Sequence, residues 1–298
     1  MEYFQFLVTT ILSALMIASP ILIAAAGGIT SERSGIVNIA LEGLMTIGAM
    51  TAATSHFILE TKTGFSIPLA LLLAAVSGCV FSIIHAFACI TLKADEIISG
   101  TGINLLSNGA AVFVCQLIFR MDRSRNYRMG MKQAIFGINP AIIIALVVLA
   151  AVWFLLYKRP WGQRLRTAGE NPQAAAHTGV NVNKMQYTAV LLSGLLAGLA
   201  GACIVLTQYN QFTVNTVSGK GFIALAAISF GRRLPGIFVF CFMIGIFFSL
   251  IVNVTDIIEI QLISHDMLNM LPFLITLLTL VVFGGKSQKS LGKVITRT

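Results

Sequence analysis

Charged side chains are scarce in this sequence. Asp, Glu, Lys and Arg make up 10% of its 298 residues, 57% are hydrophobic and the mean hydropathy is +0.88. A soluble domain carries roughly 25% charged residues, so an ordinary water-soluble domain is excluded. Acidic residues are the scarcest, 11 against 20 Lys and Arg. An ion-coupled secondary transporter needs carboxylates deep in several spans, and Glu42 is the one good candidate. Metal-binding patterns are missing too. Cys79, Cys89, Cys115, Cys203 and Cys241 all fall inside apolar runs with no CxxC spacing and read as packing residues, and His56, His85, His177 and His265 are scattered. No nucleophile, base and orienting group assemble, so no enzyme site is recognisable. The net charge of +9 sits at the ends of apolar runs rather than in a stripe interleaved with aromatics, which argues against a nucleic-acid partner.

What the chain has instead is apolar runs of about 20 residues, the length that crosses ~30 Å of hydrocarbon. The first, "FQFLVTTILSALMIASPILIAAAGG", has no Lys or Arg before it and is too long for a signal-peptide core, so it is expected to remain in the mature protein. Further runs lie near 35–58, 65–92, 97–119, 136–157, 185–207, 213–231, 234–254 and 267–283. The sequence thus predicts an all-α integral membrane protein: one domain over 1–298, with about nine spanning helices, eight to ten given the short Gly-rich seventh run. Lys and Arg set the orientation. With the loop 157–184 in the cytoplasm, so is the tail 285–298, and 13 of the 20 basic residues lie on that side. The loop "RMDRSRNYRMGMKQ" dissents, placing five basic residues outside, where it would suit an acidic partner.

Two segments, "SGIVNIALEGLMTIGAM" from Ser34 and "GKGFIALAAISFGRRLPG" from Gly219, each follow a Gly- and Ala-rich helix and run in opposite directions in this orientation. That pattern predicts an inverted repeat with broken helices. In the central loop, "GENPQAAAHTG" reads as a short capped helix with Asn171 as N-cap, Pro172 first and Gly179 as C-cap. Ala174, Ala175 and Ala176 allow close approach, and Glu170 with Arg164 and Arg166 could set a register on a partner protein; an ordinary solvated loop is the alternative.

Polar residues inside spans are functional candidates by default. Asn38 and Glu42 are spaced to share one helix face, so they either hold polar groups of a substrate or brace a broken helix. Asn104 and Asn108 repeat that spacing beside Thr101, and interhelical hydrogen bonding competes with lining a path. Gln208 stands near an outer helix end, and Phe222 offers either a stacking surface or a core aromatic. Asp95 and Glu96 sit where acids complement a helix dipole.

The stretch "RTAGENPQAAAHTGVNVNKMQYTAVLLSGLLAGLAGA" resembles the coupling-loop region of ABC importer permeases of the branched-chain amino acid and ribose type. "SERSGIVNIALEGLMTIGAM", "LKADEIISGTGINLL" and "GKGFIALAAISFGR" resemble the subgroup that imports nucleosides with a basic-membrane-protein type lipoprotein receptor. The resemblance implies a multi-pass protein of the bacterial cytoplasmic membrane working by alternating access on a small-molecule substrate, amid lipid. It implies a cytoplasmic ATP-binding subunit that holds ATP and Mg, a second permease subunit, usually a different chain, and an extracytoplasmic substrate-binding lipoprotein. Arg166, Gly169, Glu170, Asn171, Pro172, Ala174, Ala175 and Gly179 would then contact the ATPase. No cofactor is implied for this chain. Its "LVVFGGKS" puts Leu280 where a P-loop needs its first Gly, and a spanning helix precedes it in place of a strand. Ribose, other sugars and branched-chain amino acids are the alternative cargoes.

Overall fold

The computed structural model describes residues 2–128, 130, 131, 138–231 and 233–257. Ten α-helices appear among the described residues: α1 Glu2–Glu32, α2 Leu41–Leu59, α3 Ser66–Ala86, α4 Glu96–Phe119, α5 Pro140–Tyr157, α6 Pro160–Glu170, α7 Pro172–His177, α8 Val182–Gln208, α9 Lys220–Gly231 and α10 Leu234–Ile257. A π-helical turn, Phe87–Thr91, extends α3, and a 3-10 turn, Val214–Thr216, precedes α9.

Side chains at the entering ends start the helices. Asp95 accepts from the backbone N–H groups of Ile97 and Ile98 at 2.8 and 3.1 Å, Asn139 from Ala141 at 2.9 Å and Asn181 from Lys184 at 3.0 Å. Each supplies an acceptor to donors that a helix start leaves unpaired. Asp95 therefore has the structural role open to it from sequence.

Among the described residues, six helices are long and apolar enough to cross a membrane: α1, α3 with its π turn, α4, α5, α8 and α10. The expected nine, eight to ten, is thus not confirmed by the described residues. The seventh run is a broken element, a 3-10 turn followed by the 12-residue α9. The run near 267–283, the tail 285–298 and the string around Leu280 lie outside the described residues. Helix α2 has 19 residues but carries Glu42, Thr46, Thr51, Thr54, Ser55 and His56. It can be this polar because α1, α3, α4, α8 and α9 all pack on it, so lipid does not select its composition.

The core is a crossing of α8 with α1, α2 and α3. Glycines set its spacing. A Cβ on Gly198 would collide with the Ala74 carbonyl oxygen, one on Gly48 with that of Gly198, and one on Gly201 with that of Met45. Helices without a hydrophobic drive to associate gain most from such close backbone approach.

The ends of the bundle are distinct. At one, Gly169 of α6 lies against the backbone of Arg33 and Gly35, and Gln186 Nε2 donates to the Ser34 carbonyl at 3.3 Å. At the other, Glu60 accepts from the Arg128 N–H at 2.9 Å, Ser124 N–H donates to the Phe212 carbonyl at 3.0 Å, and Tyr127 Oη donates to the carbonyls of Val205 and Tyr209. The basic segment after α4 and the polar loop after α5 therefore occupy opposite ends, as the alternation of spans requires.

If this packing holds the bundle, Gly198→Leu costs more than about 2 kcal/mol through overpacking against backbone. The expected outcome is loss of a monodisperse detergent-solubilised protein on gel filtration, with Gly102→Leu, which has open space around its Cα, behaving like the parent.

Candidate functional site

Helix α1 does not run on into α2. Ser31 Oγ donates to the Ile36 carbonyl and Ser34 Oγ to the Ser31 carbonyl, both at 2.7 Å, and Gly35 adopts φ +89°. These side-chain bonds hold a non-helical stretch over 33–40. Asn38 belongs to it: its Oδ1 accepts from the Ala40 N–H at 3.2 Å, and its Nδ2 donates to Ser193 Oγ of α8 at 2.9 Å. The expectation that Asn38 and Glu42 share a helix face is therefore wrong. The helix begins only at Leu41, and Asn38 spends its amide on a local turn and on α8.

Glu42 lies in the first turn of α2 and reaches across to the start of α9. Its Oε1 accepts from the Gly219 N–H and its Oε2 from the Gly221 N–H, each at 2.7 Å. A helix start leaves donors unsatisfied and carries partial positive charge, so a carboxylate there is doubly favoured. The geometry needs glycine twice. Gly219 has φ +79°, and a Cβ on Gly221 would stand 2.6 Å from the Glu42 Cα. Between them Lys220 is buried, its Nζ 3.4 Å from the Val217 carbonyl oxygen and 6.0 Å from the Tyr209 ring centroid. Of the two roles open to Glu42, bracing a broken helix is the one its hydrogen bonds fulfil.

Asn104 of α4 completes the clamp. Its Oδ1 accepts from the Gly43 N–H at 2.8 Å and its Nδ2 donates to the Ile39 carbonyl at 3.1 Å. Buried and doubly engaged, Asn104 ties α4 to the start of α2 and does not face an open path. Thr101 is exposed and bonds its own helix at the Ile97 carbonyl, 2.7 Å away, and Asn108 is half-buried one turn beyond Asn104. Phe222 is 50% exposed in the first turn of α9 and so is not a core aromatic. The buried Gln208 Nε2 and Ser107 Oγ find no hydrogen-bond partner among the described residues, and the second lies beside Gly43.

At the α6–α7 end the local helix has its expected caps. Asn171 Oδ1 accepts from the Ala174 N–H at 3.0 Å, Pro172 is the first helical residue, and Gly179 takes φ +80°. Glu170, Ala174 and Ala176 are exposed, whereas Ala175 is buried and forms part of the support. Arg166 lies over the Tyr157 ring at 5.1 Å. The sequence reading missed α6, although Pro160 at its start and small or apolar Gly162, Leu165, Ala168 and Gly169 at helical spacing on its buried side are a legible signal.

Residues 10–280 match the family described as branched-chain amino acid transport system / permease component. The chain is 37% identical, over 97% of its length and 96% of the relative's, to a guanosine ABC transporter permease protein of Bacillus subtilis. It is 36% identical, over 92% of itself and 91% of the relative, to a nucleoside ABC transporter permease protein of Lactococcus lactis. Among solved structures, PsaBC from Streptococcus pneumoniae in complex with a Fab shares the fold, with a TM-score of 0.52 at 12% identity over 94% of this chain and 91% of that one.

Glu42→Gln keeps one acceptor and turns an amide N–H toward the other backbone donor, so it should cost about 1–3 kcal/mol. The expected outcome is a lower melting temperature of the purified protein, with a larger drop for Glu42→Ala. An unchanged melting temperature in both would show that the junction carries no stability.

Proposed function

The chain belongs to the branched-chain amino acid transport system permease family, as a multi-pass permease component of an ABC transporter, and from that membership we propose that its cargo is nucleosides. The observation that carries the cargo is the identity, over nearly the whole chain, to permeases named for guanosine and for nucleosides. Transport is by alternating access in the bacterial cytoplasmic membrane, with no covalent bond to the cargo. ATP and Mg are held by a separate cytoplasmic subunit. A second permease chain, different from this one, completes the pathway, and a substrate-binding lipoprotein delivers cargo at the end that carries Tyr127 and Glu60. The C-terminus is cytoplasmic in this arrangement.

Helix α7 is the coupling helix. Its six residues are too few to be stable alone, yet it is capped at both ends and offers exposed Ala174 and Ala176 to a partner, with exposed Glu170 at the end of α6 beside them. Its support, α6, presses Gly169 against 33–35, and that stretch leads directly into Asn38, α2 and Glu42. Movement imposed on α7 by an ATPase thus has a short, packed route to the α2–α9 junction.

Two measurements test this. Vesicles holding the assembled importer should accumulate adenosine, guanosine or uridine in an ATP-dependent manner and leave ribose and leucine outside; uptake of ribose or leucine instead would overturn the cargo. Glu170→Lys and Gly179→Val should each lower uptake more than tenfold with membrane insertion intact. The first reverses an exposed charge, and the second forces a branched residue into left-handed backbone at a cost of roughly 1–2 kcal/mol. Full transport by both variants would remove α7 from the coupling role.

A further inference from the structure

The chain between α8 and α9 enters the bundle as a series of turns and not as a spanning helix. It starts at the Tyr127 end, where the Asn210 carbonyl accepts from the Tyr127 N–H at 3.0 Å and the Phe212 N–H donates to Ser124 Oγ at 2.8 Å. It finishes at Gly219 on Glu42, in the first turn of α2, and Lys220 just beyond it still reaches the Tyr209 ring at 6.0 Å. Apart from the turn Val214–Thr216, which packs on α2 and α4, residues 209–219 form no helix. Irregular backbone at membrane depth is tolerated only where it is buried in protein or lines water.

Its side chains sort by face. Phe212, Thr216, Val217, Lys220, Ile223 and Ala224 are buried, whereas Asn215, Ser218, Phe222 and Ser229 are exposed, recurring every three, four and seven residues. A lipid-facing surface on this protein looks different: the exposed positions of α3 include Leu72, Val76, Val80, Ile83 and Ile84. Neither Asn215 nor Ser218 makes a side-chain hydrogen bond among the described residues, and Ser218 is held at φ +47°. Gln208 Nε2, where the stretch begins, and Ser107 Oγ of α4, beside the Glu42 junction where it ends, are buried without a hydrogen-bond partner among the described residues. The Asn215 amide and the Ser218 hydroxyl, outside any α-helix and without protein partners, are satisfied by water or a polar solute beside them.

We propose that Asn215, Ser218 and Phe222 form one wall of the water-filled passage and contact the cargo within it. Phe222 stacks on the nucleobase, and Asn215 and Ser218 hydrogen-bond the polar edge of the base and the sugar hydroxyls. The base contact rests on the nucleoside reading above; the passage does not. Residues 215 and 218 were invisible as site residues in the sequence because nothing there marks which face of a broken helix is open.

The test uses the whole importer in membrane vesicles. Single cysteines at Asn215, Ser218 and Phe222, and at Leu72 and Val76 as lipid-facing references, are exposed to a membrane-impermeant methanethiosulfonate reagent. The parent chain supplies the background, since four of its five cysteines are buried and Cys79 is partly so. The three wall positions should react at least tenfold faster than the references, and guanosine in excess should slow them. Rates equal to the references, whether lipid or the second permease covers this face, overturn the passage. In transport assays Phe222→Leu should raise the nucleoside KM about tenfold, the scale of a lost base–aromatic stack, with Phe222→Tyr near the parent and the complex copurifying normally. An unchanged KM for Phe222→Leu overturns the stacking contact. An importer that takes up no nucleoside sinks the cargo reading and the base contact together, while the labelling rates still decide the passage.

Discussion

A single carboxylate holds the two irregular parts of this bundle together. Glu42 sits at the start of α2 and accepts from the first donors of α9, at 2.7 Å on each oxygen. Within an apolar interior an unpaired carboxylate would be expensive, and a helix start with unpaired N–H groups would be expensive as well. Placed against each other, each removes the other's penalty. Much of the local sequence then follows. Gly221 has no room for a Cβ, Gly219 takes a left-handed φ, Lys220 brings a compensating charge into the same buried corner, and Asn104 fixes the segment from which Glu42 projects.

The rest of the bundle is arranged so that this junction is not exposed to lipid. Helix α2 is surrounded by protein, and the neighbours that surround it come close because glycines face one another at the crossings, Gly48 against Gly198 and Gly78 against Gly194 and Gly198. Close approach of backbones replaces the side-chain interdigitation of a soluble core, and it leaves α2 free to carry Thr, Ser, His and Glu without a lipid-facing cost. Helix α2 and the neighbours that pack on it, such as α4 with Asn104 and Ser107 and α3 with Ser82 and His85, thus hold polar side chains away from lipid.

This explains what could and could not be read from the chain. Runs selected by lipid, such as α3 and α5, are legible because their composition records their solvent. The roles of Asp95 and Asn171 at helix starts are legible because a short polar side chain there has one economical use. Glu42 and Asn104 stood out as polar residues in apolar surroundings, but whether they serve a solute or a backbone N–H depends on a partner at residue 219 or 43, and sequence does not show partners 177 or 61 residues away. Asn38 failed for a related reason: its spacing from Glu42 presumes a helix that its own amide turn replaces. The broken seventh run lost its status as a span because a three-residue turn and a short helix have the composition of a long helix.

The same geometry limits how the protein can change shape. Helices are stiff, and the glycine crossings that join α2, α3 and α8 fix those helices against one another at backbone contact, so bending within that group would open voids or force overlaps. Backbone without helical hydrogen bonds turns at lower cost, and hinges belong to such element-terminal residues. Two such stretches, 33–40 and 209–219, enter the bundle from opposite ends, each with left-handed residues, Gly35 in the first and Ser218 with Gly219 in the second. The first touches α6 at Gly169, and both converge on Glu42. In the coupling role proposed for α7, a displacement there would reach the proposed passage wall by rotating these two stretches about the Glu42 junction, with the helical group moving as a body. On this account the carboxylate that stabilises the fold is also the pivot about which the path opens.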